Sequence, residues 1–511
     1  MTRRTTAWVV LGVWLVALGW LVKREFLVPA PEPLTLAALS LPPGANYYAL
    51  TLAGQQVGFA STTIDTLPDT LRVTDVIVLD LPVMGTRQRT DGLTEAILTR
   101  ELSLRSFTAS LRATGTRYAA RGVVSGDTLL TVEMDLGTGR DTLRIHLEGP
   151  IVLPSVVPLT VAFGGRLEIG RSVTLRLFDP AVLAQRPTTF RVVAESTFVF
   201  PDSAQYDSTL RRFVPATYDT VQAWAVVTED TRGLGATTWI DARGNVVHAS
   251  TPVGFHMARS AFELAYENFR QQPPEIVASL SSDIIQQTAI GAGVQLDPAN
   301  LRRLTVRLGG APLAGYDLPG GRQQLTGDTL TVTRETPSRR GGWRLGRAPD
   351  SLAQWLAAEP LVQSTDTRIA AQARQVISGT RDPRTAAERL TQWVYGNLRK
   401  EITVSIPSAL DVLARRSGDC NEHTVLYVAM ARAVGLPART AAGVVYLDGR
   451  FFYHAWPEVY LDDTWVAVDP TFGQFPADAA HLRFTIGGLA RQMELIPLIG
   501  RLTIDVLDQQ S

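Results

Sequence analysis

The chain has 511 residues, 45% of them hydrophobic and 19% charged, which supplies packed cores and excludes a disordered composition. Lys+Arg and Asp+Glu are equal at 49 each, so no global field steers the chain to nucleic acid, and none is expected as a partner. Only Lys23 and Lys400 are lysines, and a single cysteine, Cys420, excludes an intramolecular disulfide.

Residues 1–6 read as a short tail ahead of Ala7 to Val22, an uncharged apolar run with Arg3 and Arg4 before it and Lys23 and Arg24 after it. Sixteen residues at 1.5 Å each span about 24 Å, which snorkelling lysine and arginine stems extend toward a ~30 Å hydrocarbon core. No small-x-small cleavage site follows Val22, so an uncleaved transmembrane anchor is expected over a cleaved signal segment. The localisation that follows is a single-pass membrane protein with the bulk of the chain periplasmic or extracellular. A Pro-rich linker covers residues 29–44.

From 45 to about 253 the pattern is short β runs separated by turns. The tripeptide Asp-Thr-Leu starts at Asp65, Asp69, Asp127, Asp141 and Asp328, and reads as a turn residue leading into a strand. IDARGNVVH, from Ile240 to His248, is a predicted hairpin around Gly244–Asn245. Phe255 to Arg270 is predicted helical from the spacing of Met257, Ala261, Leu264 and Ala265. These elements form a β-rich domain over 45–270. A small β domain and linker over 271–345 follows, with strands in LRRLTVRLGG and GDTLTVTRE. Residues 346–485 form a third domain. It begins with helices in DTRIAAQARQVIS and in DPRTAAERLTQWVYGNLRK, where Asp382–Pro383 is a helix start. Residues 486–511 read as a C-terminal tail.

Asp419 followed three residues later by Glu422 is a capping-box pattern, which places Cys420 at the first position of a helix that ends before Gly435 and Pro437. A thiol at the positive end of a helix dipole is expected to have a lowered pKa. TAAGVVYL and RFFYHAW flank Asp448–Gly449, a two-residue hairpin turn. Side-chain alternation puts Phe452, His454 and Trp456 on one face of the return strand. The next strand carries Trp465, Ala467 and Asp469 on one face, beside the His454 strand. Cys420, His454 and Asp469 are then a nucleophile, a base and a carboxylate that orients the base. Each residue has an ordinary structural role as well: a buried thiol, a packed imidazole, an aspartate at a strand end. Trp456 is a candidate wall of the site, and Asp419, Asn421 and Glu422 support it. His423, one helical turn after Cys420, is expected to be structural, because the region lacks the further ligands a metal site needs. No cofactor and no metal are expected.

GDCNEHTVLYVAMARAVGLPAR, FYHAWPEVYLDDTWVAVDPT and the spacing between them resemble the transglutaminase-like superfamily, on the papain-like plan. The resemblance covers about Asp366 to Phe484. It implies that the catalytic residues are Cys420, His454 and Asp469, and that the oxyanion hole combines the Cys420 amide with a second, upstream donor in the Trp393–Asn397 region or near Ser408. Pro457 departs from the commoner residue after H-A-W, and calcium sites of the animal enzymes have no counterpart here. The expected fold class is α+β: an N-terminal membrane helix, β-rich and mostly antiparallel middle domains, and a C-terminal papain-like, transglutaminase-like domain of helices packed on an antiparallel sheet. The expected activity is cysteine-dependent acyl transfer or hydrolysis of amide or peptide substrates through a thioester on Cys420. The partners are a protein or peptide substrate and, through the N-terminal helix, a membrane. The alternative is a catalytically inactive scaffold or binding protein that uses its β-rich domains.

Overall fold

The computed structural model describes residues 43–511 except 84–85, 114–115, 127, 136–138, 229–235, 252–253, 272–284, 286–287, 337–342 and 402–405. A 14-stranded antiparallel sheet takes up the first half. Its first strand, Gly44–Leu52, lies near the middle of the sheet, and successive neighbours step outward to the edge strand Arg140–His146. A helix, Val157–Phe163, crosses to the opposite edge strand, Ser172–Asp179, and the chain steps back until Phe255–Ser260 pairs with Gly44–Leu52. Val152 bridges to Leu177, so the two edges approach each other and the sheet curls around the helix. Leu71, Leu98, Phe107, Leu130, Phe178 and the helix residues Leu159 and Val161 share that core.

The predicted turn chemistry is visible in several joins. Asp69 and Asp328 directly precede the strands Thr70–Val83 and Thr329–Thr333, whereas Asp65 lies near the end of Gln55–Thr66. Between Thr237–Asp241 and Val246–Ser250, the Asp241 carboxylate accepts the backbone N–H groups of Arg243 and Asn245, which fastens the hairpin. Phe255–Ser260 departs from the helical expectation. It is a strand with partners on both sides, Gly44–Leu52 and Val246–Ser250, and only Glu263–Arg270 turns helically. Phe255 and Met257 alternate onto a cluster with Tyr48 and Leu50, so strand pairing overrode the 3.6-residue spacing.

The expected fold class is corrected at its first element, and the expected single-pass membrane localisation with it. Among the described residues no helix is long and apolar enough to cross a membrane. The longest of them, Pro383–Asn397, has 15 residues and spans about 22 Å. The segment 7–22 lies outside the described residues. What the fold consists of is strand-rich, with one large antiparallel sheet ahead of a helix-and-sheet C-terminal part.

In that C-terminal part, Arg450–Leu461 pairs with Ala438–Leu447 and with Thr464–Ala467, and His481–Ile486 pairs with Ala438–Leu447. The helix Cys420–Ala433 packs on this sheet and is buried from Glu422 to Arg432, the pattern of a central helix. Thr367–Ile377 and Pro383–Asn397, capped by Asp366 and Asp382, cover it and share a core with Leu426, Val428, Val459 and Val466. A further 4-stranded sheet combines Arg303–Gly309, Gln323–Thr326 and Thr329–Thr333 with Thr503–Gln510 from the expected tail. Arg483 joins this sheet to the one that carries Arg450–Leu461. Its guanidinium donates to Glu458 Oε1 at 2.9 Å and to the carbonyls of Asp317 and Gly320 at 3.0 Å.

Candidate active site

Cys420 opens its helix through the capping box that the sequence predicts. Asp419 Oδ1 accepts the Asn421 N–H at 2.8 Å, and Glu422 Oε2 accepts the Asp419 N–H at 3.0 Å. Gly418 makes room for this. Its φ is +153°, and a Cβ there would lie 2.3 Å from Cβ and Cγ of Glu422. The glycine of G-D-C therefore serves the cap, and the cap places the thiol.

His454 lies in the middle of the strand after Asp448–Gly449. Both turn residues have positive φ, 45° and 89°, as a two-residue hairpin turn requires. His454 Nε2 is 2.7 Å from Asp469 Oδ2, and both side chains are buried. With Nε2 engaged, Nδ1 is the ring nitrogen left for a proton from a thiol. Phe472 stacks on the imidazole at 5.0 Å and Trp456 at 6.0 Å, so the ring is held by its faces as well as by its edge. Trp456 is fully buried, and Asn421 is half-buried beside Cys420 with its Oδ1 lacking a partner among the described residues. Asp469 Oδ1 accepts the N–H groups of Thr471 and Phe472 at 2.7 and 3.1 Å. The Asp-Pro-Thr-Phe turn thus orients the carboxylate from behind.

The electrostatics differ from the expectation for Cys420. Burial pushes its thiol well above the ordinary value, and Asp419, Glu422 and Asp469 add to the rise, against a backbone hydrogen bond from Ala455. The carboxylates of the capping box oppose the helix dipole at the atom the cap positions. Burial would raise the Asp469 carboxyl, but the charge and hydrogen bond of His454 and the hydrogen bond of His481 hold it far below the carboxylate range.

His481 is the residue that sequence reasoning missed. Its Nε2 lies 3.0 Å from Asp469 Oδ2 and its Nδ1 lies 2.8 Å from Asp478 Oδ1, with the ring fully buried. No local pattern in ADAAHLRF marks it; the signal is the pairing of His481–Ile486 with Ala438–Leu447, which a single sequence does not display. His454, Asp469 and His481 offer one ligand atom each within 4.8 Å of one another. Both ring nitrogens of His481 face carboxylate oxygens, Nδ1 that of Asp478 and Nε2 that of Asp469. His423 donates through Nδ1 to the Asp419 carbonyl at 2.7 Å, a role in the first helical turn. Within the two regions expected to hold a second oxyanion donor, Asn397 donates to the Trp393 carbonyl and Ser408 Oγ bonds Gln363.

A family model of the transglutaminase-like superfamily matches residues 370–470. A comparison with curated proteins found no match. A solved structure of a candidate cysteine protease from Cytophaga hutchinsonii is 16% identical, with 41% of this chain and 86% of that chain covered and a TM-score of 0.28. A DUF1089 family protein from Pseudomonas aeruginosa is 13% identical, over 39% of this chain and 93% of that one, with a TM-score of 0.23. A candidate protease from Parabacteroides distasonis is 10% identical, and this chain spans 63% of its length with 69% of its own, at a TM-score of 0.19. Residues 370–470 are a domain of the transglutaminase-like superfamily.

Proposed function

We propose that this protein is a cysteine-dependent acyltransferase or hydrolase acting on amide bonds of protein or peptide substrates, with Cys420 as nucleophile, His454 as base and Asp469 as the residue that orients it. The observation that carries the reading is the 2.7 Å bond between His454 Nε2 and Asp469 Oδ2 in the sheet on which the Cys420 helix packs. In this reading the Cys420 proton moves to His454 Nδ1 as sulfur attacks the substrate carbonyl. The carbonyl π electrons move to oxygen, and the Cys420 amide is a donor for that oxyanion. Collapse expels an amine, which takes the proton from His454, and leaves a thioester on Cys420. Water or a second amine then attacks the thioester while His454 takes its proton; the C–S bond breaks, and the departing Cys420 sulfur takes that proton back from His454. With two lysines in the chain, cross-linking to itself is not the reaction this reading favours.

The second reading is an inactive scaffold, in which the raised Cys420 thiol is an inert, buried side chain. One experiment separates the two. A thiol-directed amide probe labels wild type once per chain under the catalytic reading, and does not label Cys420→Ala. His454→Ala keeps its fold and labels about 10²–10⁴-fold more slowly. Equal labelling of His454→Ala and wild type would sink the catalytic reading.

A further inference from the structure

We propose that His481 is a positioning residue, a permanent imidazolium clamped between Asp478 and Asp469 that fixes the Asp469 carboxylate on His454. The inference rests on the catalytic reading for its purpose but not for its test. Geometry assigns the protons. Asp478 Oδ1 receives His481 Nδ1 at 2.8 Å and the Ala480 N–H at 2.9 Å, while Asp478 Oδ2 receives the Gln474 amide at 2.8 Å. Asp469 Oδ2 receives His481 Nε2 at 3.0 Å and His454 Nε2 at 2.7 Å, while its Oδ1 takes two backbone N–H groups. Every oxygen facing the ring is an acceptor, so both nitrogens donate. The groups around His481 are the two carboxylates, the His454 ring at 5.9 Å, and the edges of Trp456 and Phe472. Burial opposes its charge, yet Asp478 and the hydrogen bonds to both aspartates raise its pKa to about 9.

The charge count explains what the clamp does. Two buried carboxylates and His481 sum to one negative charge, which a protonated His454 cancels. Without His481, Asp469 and Asp478 would leave an excess buried anion beside the His454 ring. His481 removes that excess. By occupying the second lone pair of Asp469 Oδ2, it also denies the carboxylate the freedom to rotate away from His454.

The test uses the whole chain labelled with ¹⁵N-histidine, six residues in all, with His481→Gln as the assignment variant. The expected result is a ring that carries protons on both nitrogens at pH 7.5 and loses one only near pH 9. Asp478→Asn, which keeps an oxygen acceptor, lowers that titration. The rate of Cys420 alkylation by iodoacetamide gives the second readout: its acid limb moves up by about one pH unit in folded His481→Gln. A His481 with a bare nitrogen at pH 7.5 overturns the proposal, as does an unmoved acid limb or stoichiometric Zn²⁺ held in place of the ring protons. If His481→Gln does not fold, the Asp478→Asn titration decides alone. Alkylation that ignores His454→Ala would remove the catalytic reading and leave the assignment of the His481 protons standing.

Discussion

Asp469 Oδ2 accepts from two imidazoles at once, and Asp469 and His481 titrate in opposite senses. The Asp469 pKa is depressed, so its stabilisation is present above the unfolded value of about 3.9 and is lost as pH falls through the folded value. The His481 pKa is raised to about 9, so its stabilisation is complete below the unfolded value of about 6.5 and is lost as pH rises through 9. Cys420, also raised, loses stabilisation above its unfolded value of about 8.5. In a Cys420→Ala background, Tm is therefore expected to fall between pH 6.5 and pH 9.5, and His481→Gln is expected to flatten that slope. Differential scanning calorimetry across the range checks it; parallel slopes would assign the fall to other groups. Asp419→Ala has two effects of opposite benefit. It removes the N-cap at a cost of about 1 kcal/mol, and it removes the anion that contributes next after burial to the high thiol pKa. Urea denaturation and the pH profile of alkylation, read on the same sample, are expected to show lower stability and faster modification at pH 7.5.

At the scale of elements, legibility followed the range of the forces involved. The capping box and the Asp448–Gly449 turn are settled by residues within a few positions of one another, and the sequence displays them. Gly418→Ala tests the first: a methyl group 2.3 Å from the Glu422 stem displaces that side chain from the Asp419 N–H. Folded Gly418→Ala protein is expected to be destabilised by about 1–3 kcal/mol, measured by urea denaturation, with slower Cys420 labelling. Phe255–Ser260 shows the other case. Its apolar spacing suits a helix, and two neighbours distant in sequence make it a strand. His481 and Asp478 were illegible for the same reason, since their meaning depends on Asp469, which a turn and a cis Phe475–Pro476 bond separate from them in the chain.

For the whole molecule, Arg483 is one of several buried links between the small sheet and the sheet that carries His454, beside Arg322, Gln323 and the shared core of Leu304, Leu330, Val444 and Phe484. The Arg483 side chain is buried against Glu458, which Arg439 also contacts at 2.6 Å, and it spends its remaining donors on carbonyls at 317–320. Arg483→Met strands Glu458 with one partner and leaves those carbonyls unpaired. It is expected to destabilise the fold by about 3–5 kcal/mol, visible as a lower urea midpoint. The curled 14-stranded sheet is a separate core, so its transition should move little, and tryptophan fluorescence or pulse proteolysis separates the two. A single shifted transition would mean that the cores unfold together.

The pairing of Arg303–Gly309 with Thr503–Gln510 has a consequence for the order of assembly during synthesis. The first strand leaves the ribosome about 200 residues before its partner, with the whole catalytic helix and sheet made in between. Until then one edge of that sheet offers unpaired N–H and C=O groups to any passing strand. Nascent chains stalled after residue 500 should therefore hold a formed β-rich first half, an open edge at 303–309 and a strong tendency to bind holdase chaperones, all of it relieved by supplying the missing strand as a peptide.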